Sequence, residues 1–306
     1  MSKRRKARSG SVVERTNWPM VIGFLAPAVF LILVFFYYPS IRGIVLSFQK
    51  VSIYNLTETP FYGLNNYRNL LSMVEFWMFW RNTFVWVFGC VAAEFVIGFT
   101  VALLLRREFA GKRVYEGIIF MPWALSSFTV GVIFKWIFNG TTGLLNDILI
   151  RLHLIKLPIG FLSSHQLALP SVMVAKVWTG MAFFSIVIIA ALKTIPKELY
   201  ESAEIDGANA VQSFFAITLP SIRMILLFTV LLRMIQTFGA ADLIFSMTGG
   251  GPAGASHTVS SFIMTEIVRG TDYGRVQAAG MLTWLFLLVC SLGYLYLTNS
   301  LKKGDV

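Results

Sequence analysis

Six stretches of this chain are each long and apolar enough to cross a lipid bilayer as a helix. They fall at 18–38, 82–105, 117–138, 166–192, 224–244 and 276–297. A hydrocarbon core of ~30 Å takes about 20 residues of helix. Inside it every backbone N–H and C=O must find a partner within the protein, which leaves helices or closed barrels. The runs are unbroken and lack strict alternation, so they read as helices. Apolar residues make up 56% of the chain and charged residues 13%, about half the usual ~25%. Such a chain cannot cover itself with polar surface in water. The fold class expected is all-α and integral to a membrane, with six transmembrane helices. The first run has no small-residue cleavage site and is too long for a signal h-region, so it is expected to be a retained anchor.

The net charge of +11 raises nucleic acid as a partner, but the placement of the charges argues for topology instead. Lys and Arg gather on one side of the membrane. The tail at 1–17 carries Lys3, Arg4, Arg5, Lys6, Arg8 and Arg15. The second connection carries Arg106, Arg107, Lys112 and Arg113, the fourth Lys193, Lys197 and Arg223, and the C-terminus Lys302 and Lys303. That side holds fifteen and the opposite side eight, among them Arg42, Arg81 and Arg275. The expectation is a multi-pass membrane protein with both termini in the cytoplasm, lipid around it and no nucleic acid partner.

The outer connections carry their own signals. Residues 61–81 mix aromatic with polar residues, as an interfacial segment would. Leu145, Ile148, Leu149 and Leu152 follow helical spacing, which predicts a short helix over 144–154 on the outer face. Gly249-Gly-Gly-Pro252 predicts a chain break after the fifth span. Cys90 and Cys290 lie in apolar runs and read as small buried hydrophobes without metal spacing. His153, His165 and His257 fall in outer loops, so no chain of titratable groups crosses the membrane.

The connection at 193–220 is acidic and polar, and sits between two spans. Thr194 is a plausible helix N-cap, with Pro196 in the first turn. Glu198 and Glu201 then suit the positive end of the helix dipole. Leu199 and Ala203 form a small apolar strip, with Glu204 and Asp206 beside it. Gly207 suits a left-handed stop, and Asn209 can cap a second helix whose inner face would be Val211, Phe214, Phe215 and Thr218. Leu219-Pro220 is expected to end that helix. The product is helix, glycine turn, helix, facing the cytoplasm. An ordinary amphipathic connector would look much the same.

The residues carry this further. Glu201-Ser-Ala, Gly207 and Ile217-x-Leu-Pro220, at their spacing, resemble the EAA loop of permease subunits of ATP-binding-cassette importers. The run from Ile195 to Ala208 resembles the carbohydrate branch, of the maltose-transporter type. Tyr62-Gly-Leu-Asn-Asn-Tyr67, Phe138-Asn-Gly, Gly143-Leu-Leu-Asn146, Trp178 with Phe183, and Thr248-Gly-Gly-Gly-Pro252 extend the resemblance over most of the chain. It departs at Ser202, Ala182 and Met224, where Ala, Pro and Pro are usual.

The resemblance implies a type I importer permease fold with its core at 78–297, and a non-catalytic subunit. Its partners would be a second homologous permease, two ATPase subunits and an extracytoplasmic sugar-binding protein. The permease itself would hold no cofactor; ATP and magnesium would bind the ATPases. The loop positions that would meet an ATPase are Glu198, Glu201, Ala203, Asp206, Gly207, Leu219 and Pro220. ATP-driven closure would switch the pathway between inward- and outward-facing states. The chain lacks a phosphate loop of its own: Gly111-Lys112 has neither the upstream Gly nor the following Ser or Thr.

Polar and aromatic residues within spans are candidates for the substrate path. Trp123 and Ser127 are four apart in the third span and would share a helix face. Gly180 and Phe183 on the fourth span, and Gln236, Thr237 and Ala240 on the fifth, occupy matching positions in the family. Plain helix packing would use the same residue types. Lys176 and Arg233 lie deep enough to face the bundle or a wet cavity, whereas Lys135 and Asp242 lie near span ends, where snorkelling explains them. A self-contained secondary transporter or channel is the alternative reading, against which stand six spans with no evident inverted repeat and no paired interrupted helices. A membrane enzyme lacks a spaced cluster of His, Asp and Glu.

Overall fold

The structure is a computed structural model and describes residues 18–106 and 109–303. The basic tail at 1–17 and Arg107 lie outside the described residues. The first span runs from α1 (Trp18–Ile32) through a π-helical turn (Leu33–Tyr37) into α2 (Tyr38–Ser47). After an outer loop come α3 (Asn65–Ser72) and the second span α4 (Val74–Leu105). The third is α5 (Lys112–Ala124) with α6 (Ser127–Ile137), followed by α7 (Leu144–Arg151) and the fourth span α8 (Ala168–Lys193). The acidic loop forms α9 (Lys197–Ile205) and α10 (Ala210–Ser213), which passes through a π-helical turn (Phe214–Thr218) into the fifth span α11 (Leu219–Gly239). The outer pieces α12 (Asp242–Met247) and α13 (Val259–Arg269) precede the sixth span α14 (Tyr273–Lys303).

Among the described residues, five helices are long and apolar enough to cross a membrane, or six if the bent pair α5–α6 counts as one span. That pair corrects the continuous third span expected at 117–138. Its halves meet at 99°. Pro122 lacks the N–H that would bond residue 118 and crowds its carbonyl, and α5 ends two residues later. Leu125 and Ser126 are extended, and the Ser126 hydroxyl accepts from the Thr129 N–H at 3.4 Å, starting a new helix.

The fifth span is corrected as well. Expected at 224–244, its helix begins upstream and stops at Gly239, where Ala240 turns extended before α12 begins. Both π-helical turns lie just before a proline, Pro39 and Pro220. A widened turn lets the chain absorb a missing N–H and a displaced carbonyl without ending the helix. Leu219-Pro220 therefore continues the helix, contrary to the expected stop.

Helices α4 and α8 pack along their length and form the centre of the chain. One core surrounds Trp86, Val172, Phe238 and Ile244, and a second surrounds Phe184, Ile188 and Ile222. A third, around Leu70, Phe76 and Phe262, joins α3 and α13 to α4. Buried polar groups lock these layers. The Trp86 indole donates to the Thr237 carbonyl at 3.0 Å, and the Asn82 amide donates to the carbonyls of Ala255 and His257, both at 3.0 Å. Asn82 and Thr83 thus pin the Gly-rich loop after α12, in which Gly249 and Gly250 have positive φ. The chain does break there, as the sequence predicts.

The outer helix expected at 144–154 is present as α7 and is tied down by Asn146, whose amide bridges Asn139 and Ile159. The interfacial segment expected at 61–81 is two things: α3, and the first turns of α4. Arg81 therefore belongs to the second helix, Arg42 to the first and Arg275 to the last. Cys90 is buried, but Cys290 is exposed on α14.

Candidate functional site

The loop at 193–220 has the helix–turn–helix shape that its caps foretell, with changes of detail. Thr194 closes α8 instead of capping α9: its hydroxyl donates to the Ala191 carbonyl at 2.7 Å. Pro196 occupies the N-cap of α9, and Glu198 lies in the first turn. At the far end Gly207 has φ +78. The Ala208 N–H reaches back to the Ala203 carbonyl at 2.9 Å, a Schellman-type closure that needs a left-handed residue at this position. Asn209 caps α10 reciprocally: its side chain accepts from the N–H groups of Val211 and Gln212 at 3.0 and 2.9 Å, while Gln212 accepts from the Asn209 N–H at 2.8 Å.

The loop is anchored from beneath. Tyr200 and Thr218 share a hydroxyl bond of 2.8 Å, Phe214 meets Phe99 with ring centroids 5.9 Å apart, and Ile195 is buried. The expected inner face holds only in part, because Val211 and Phe215 point outward. The outward surface carries Glu198, Leu199, Glu201, Asp206 and Gly207, with Ala203 and Leu219 half-buried and Pro220 exposed. Ile205 is 87% exposed on this acidic face. The exposed Ile205 thus sits on the same outward surface as Glu198, Glu201 and Asp206.

Within the spans the candidate residues divide into two groups. In the first, the Arg233 guanidinium on α11 donates to Glu94 on α4 at 2.6 Å, with both side chains buried. Phe183 stacks against Arg233 at 5.2 Å, and Gln236 accepts from it at 3.5 Å. Gly180 makes room for the pair: a Cβ there would overlap the Glu94 carboxylate and meet Arg233 at 2.5 Å. Glu94 stands out in the sequence, with Lys176 and Arg233, as a charge too costly to face lipid; its pairing with Arg233 is what the structure adds.

The second group lines a small cavity: Ser127, Lys176, Thr179, Ala240, Asp242 and Leu243. The cavity lies where the α5–α6 break meets the α11–α12 break. These two breaks correct the expectation of no paired interrupted helices; irregular backbone at membrane depth is tolerated where it lines a cavity. The cavity lining mixes lysine and hydroxyl donors with hydroxyl and carboxylate acceptors, and at about 20 Å³ it has room for about one water. Asp242 belongs to this cavity, which snorkelling alone did not foresee. Lys135 is exposed and lines a separate outer cavity with Asn139 and Thr248.

Two further candidates fall elsewhere. Trp123 is 56% exposed, and the bend between α5 and α6 removes the shared face expected with Ser127. Thr237 is fully buried and takes part through its carbonyl, which accepts from Trp86. Thr179, three residues after Lys176 and so on the same face, is the lining residue that sequence spacing could have supplied.

Relatives give this geometry a context. The trehalose/maltose transport system permease of Thermococcus litoralis is 33% identical over 279 residues, covering 90% of this chain and 92% of its own. The sulfoquinovosyl glycerol transport system permease of Agrobacterium fabrum is 29% identical, over 90% and 89% of the two chains. The fold matches a bacterial alginate ABC transporter, solved in complex with an alginate pentasaccharide-bound periplasmic protein, with a TM-score of 0.80, 22% identity and coverage of 93% and 95%. Residues 94–303, from the buried Glu94 through the loop, the cavity and the last span, match a single family description. On that match the chain belongs to the family of binding-protein-dependent transport system inner membrane components.

Proposed function

We propose that this chain is one of two permease subunits of an ATP-driven carbohydrate importer. It forms half of the translocation pathway and receives the force of ATP hydrolysis through the loop at 193–220. The observation that carries the coupling role is the rigid, outward-facing turn of α9 and α10, with its exposed Ile205 and its ring of Glu198, Glu201 and Asp206. Each of two cytoplasmic ATPases would hold one such loop and would bind the ATP and magnesium. The loop is continuous with α11 through the π-helical turn. A push on α9 is therefore delivered to the span that carries Arg233 and Ala240, and the pathway would switch its open side by rigid-body movement.

The carbohydrate reading draws on the cargoes named for the relatives above, and the cavity would have to widen from about 20 Å³ to admit a sugar. An extracytoplasmic binding protein would deliver the solute to the outer loops, with both termini of this chain in the cytoplasm. The test is co-purification followed by assay. The chain, expressed with its companion permease, ATPase and binding protein, should form a complex whose ATPase activity is stimulated by a cognate sugar bound to the binding protein. Glu201→Lys should abolish both the association and the stimulation. Full stimulation in that variant would refute the docking role.

A further inference from the structure

Most of α9 faces outward. Seven of its nine residues are exposed, and the two that are not are Tyr200 and Ala203. The Ala203 carbonyl closes the loop's own turn. Tyr200 reaches further and meets two separate spans. The Arg106 guanidinium, at the C-terminal end of α4, lies over its ring at 4.5 Å. Its hydroxyl shares a bond of 2.8 Å with the hydroxyl of Thr218, in the π-helical turn that leads into α11. Thr218 is 1% exposed, and the Tyr200 ring packs on the core that holds Ile188, Leu192 and Ile222, so the far end of each contact is fixed. Cavities of about 270 and 690 Å³ flank the ring, and Arg106 and Tyr200 line both. The ring thus stands as a strut between α9 and two span ends.

We propose that Tyr200 is a positioning residue of the coupling step, which ties the loop-side ends of α4 and α11 to α9 at once. The chain itself joins the loop to α11 through the π-helical turn, and Tyr200 adds α4 to that connection. The addition matters because the buried pair of Glu94 and Arg233 joins the same two helices. Moving α11 alone would draw Arg233 from Glu94, and a buried pair is costly to split. Moving both span ends together carries the pair intact. Coupling then runs through a contiguous set of packed groups from the outward face of α9 to the middle of the bundle. The inference rests on the reading of the loop as the ATPase contact.

Spin labels on Leu104→Cys of α4 and Ser221→Cys of α11, both exposed positions, test this in a Cys290→Ser background. They read the spacing of the two span ends in the assembled complex, without nucleotide and trapped with ATP. With Tyr200 and Arg106 present the spacing should be the same in both conditions. Tyr200→Phe, which keeps the ring and loses the bond to Thr218, and Arg106→Gln, which loses the tie to α4, should each make the spacing shift when ATP is trapped. Thr218→Ser, which keeps a hydroxyl, should hold it constant. All three variants should still retain the ATPase on purification, because the outward face of α9 is untouched. Constant spacing in Tyr200→Phe or in Arg106→Gln, or loss of the ATPase from either, would overturn the proposal. A spacing that already shifts with Tyr200 and Arg106 in place would overturn it too, whether or not the variants assemble. Retention of the ATPase by Glu201→Lys would instead refute the docking reading, so the two failures are told apart.

Discussion

Glu94 and Arg233 meet across two helices, and each is tolerable there only because the other is present. Breaking a buried pair leaves one uncompensated charge and costs about 3–5 kcal/mol, whereas replacing both by apolar groups of similar size is often neutral. Glu94→Leu and Arg233→Met should therefore each lower thermal stability in detergent, and the double variant should recover most of the loss. Additive losses would show that the pair contributes nothing as a pair. Gly180→Ala should resemble the single variants, because its methyl would occupy the space of the carboxylate. His257 offers a separate test in the loop outside the spans. Its ring packs against Phe79 at 5.1 Å, and burial pushes its pKa from 6.5 down to about 4. Between those values the unfolded chain binds a proton that the folded chain refuses. Stability is then full above pH 6.5 and falls as pH drops towards 4. His257→Gln should flatten that acid limb in melting experiments. An unchanged limb would mean that the ring titrates normally.

At the scale of elements, the acidic loop is the part of this molecule most open to reading from sequence. Asn209 as cap and Gly207 as left-handed stop each follow from local backbone chemistry, which needs no knowledge of neighbours. Val211 and Phe215 turn outward, against the spacing, because the packing of Phe214 on Phe99 decides which apolar side chains face inward. The loop also yields a graded prediction. A β-branched residue at φ +78 costs roughly 1–2 kcal/mol, while Asn tolerates that region. Gly207→Val should uncouple the ATPase, measured as loss of co-purification and of substrate-stimulated hydrolysis, while Gly207→Asn should retain most of both. Equal loss in the two variants would place the requirement in the space a side chain occupies and not in the backbone angle.

Across the whole molecule, the membrane class and the number of crossings were legible because hydrocarbon thickness acts on every span alike. The two breaks that build the cavity were not. Pro122 and Ser126 were visible as residues, but a proline in a span is commonly absorbed, as Pro39 and Pro220 are here by π-helical turns. Whether it bends the chain depends on what packs on the far side. Here Gly131 of α6 lies against Ser246 of α12, which holds both broken spans together. That pairing makes the cavity sensitive to movement of either span. In a background of Cys290→Ser, which removes the exposed native thiol and leaves Cys90 buried, Ser127→Cys places a thiol in the cavity wall. If the pathway alternates, the reaction of this thiol with a hydrophilic maleimide added from the binding-protein side should differ by at least about tenfold between the nucleotide-free and the ATP-trapped complex, as a shift between two states of unequal access requires. A single rate in both conditions would mean that α6, α11 and α12 keep one arrangement throughout the cycle, and the pathway would have to lie elsewhere.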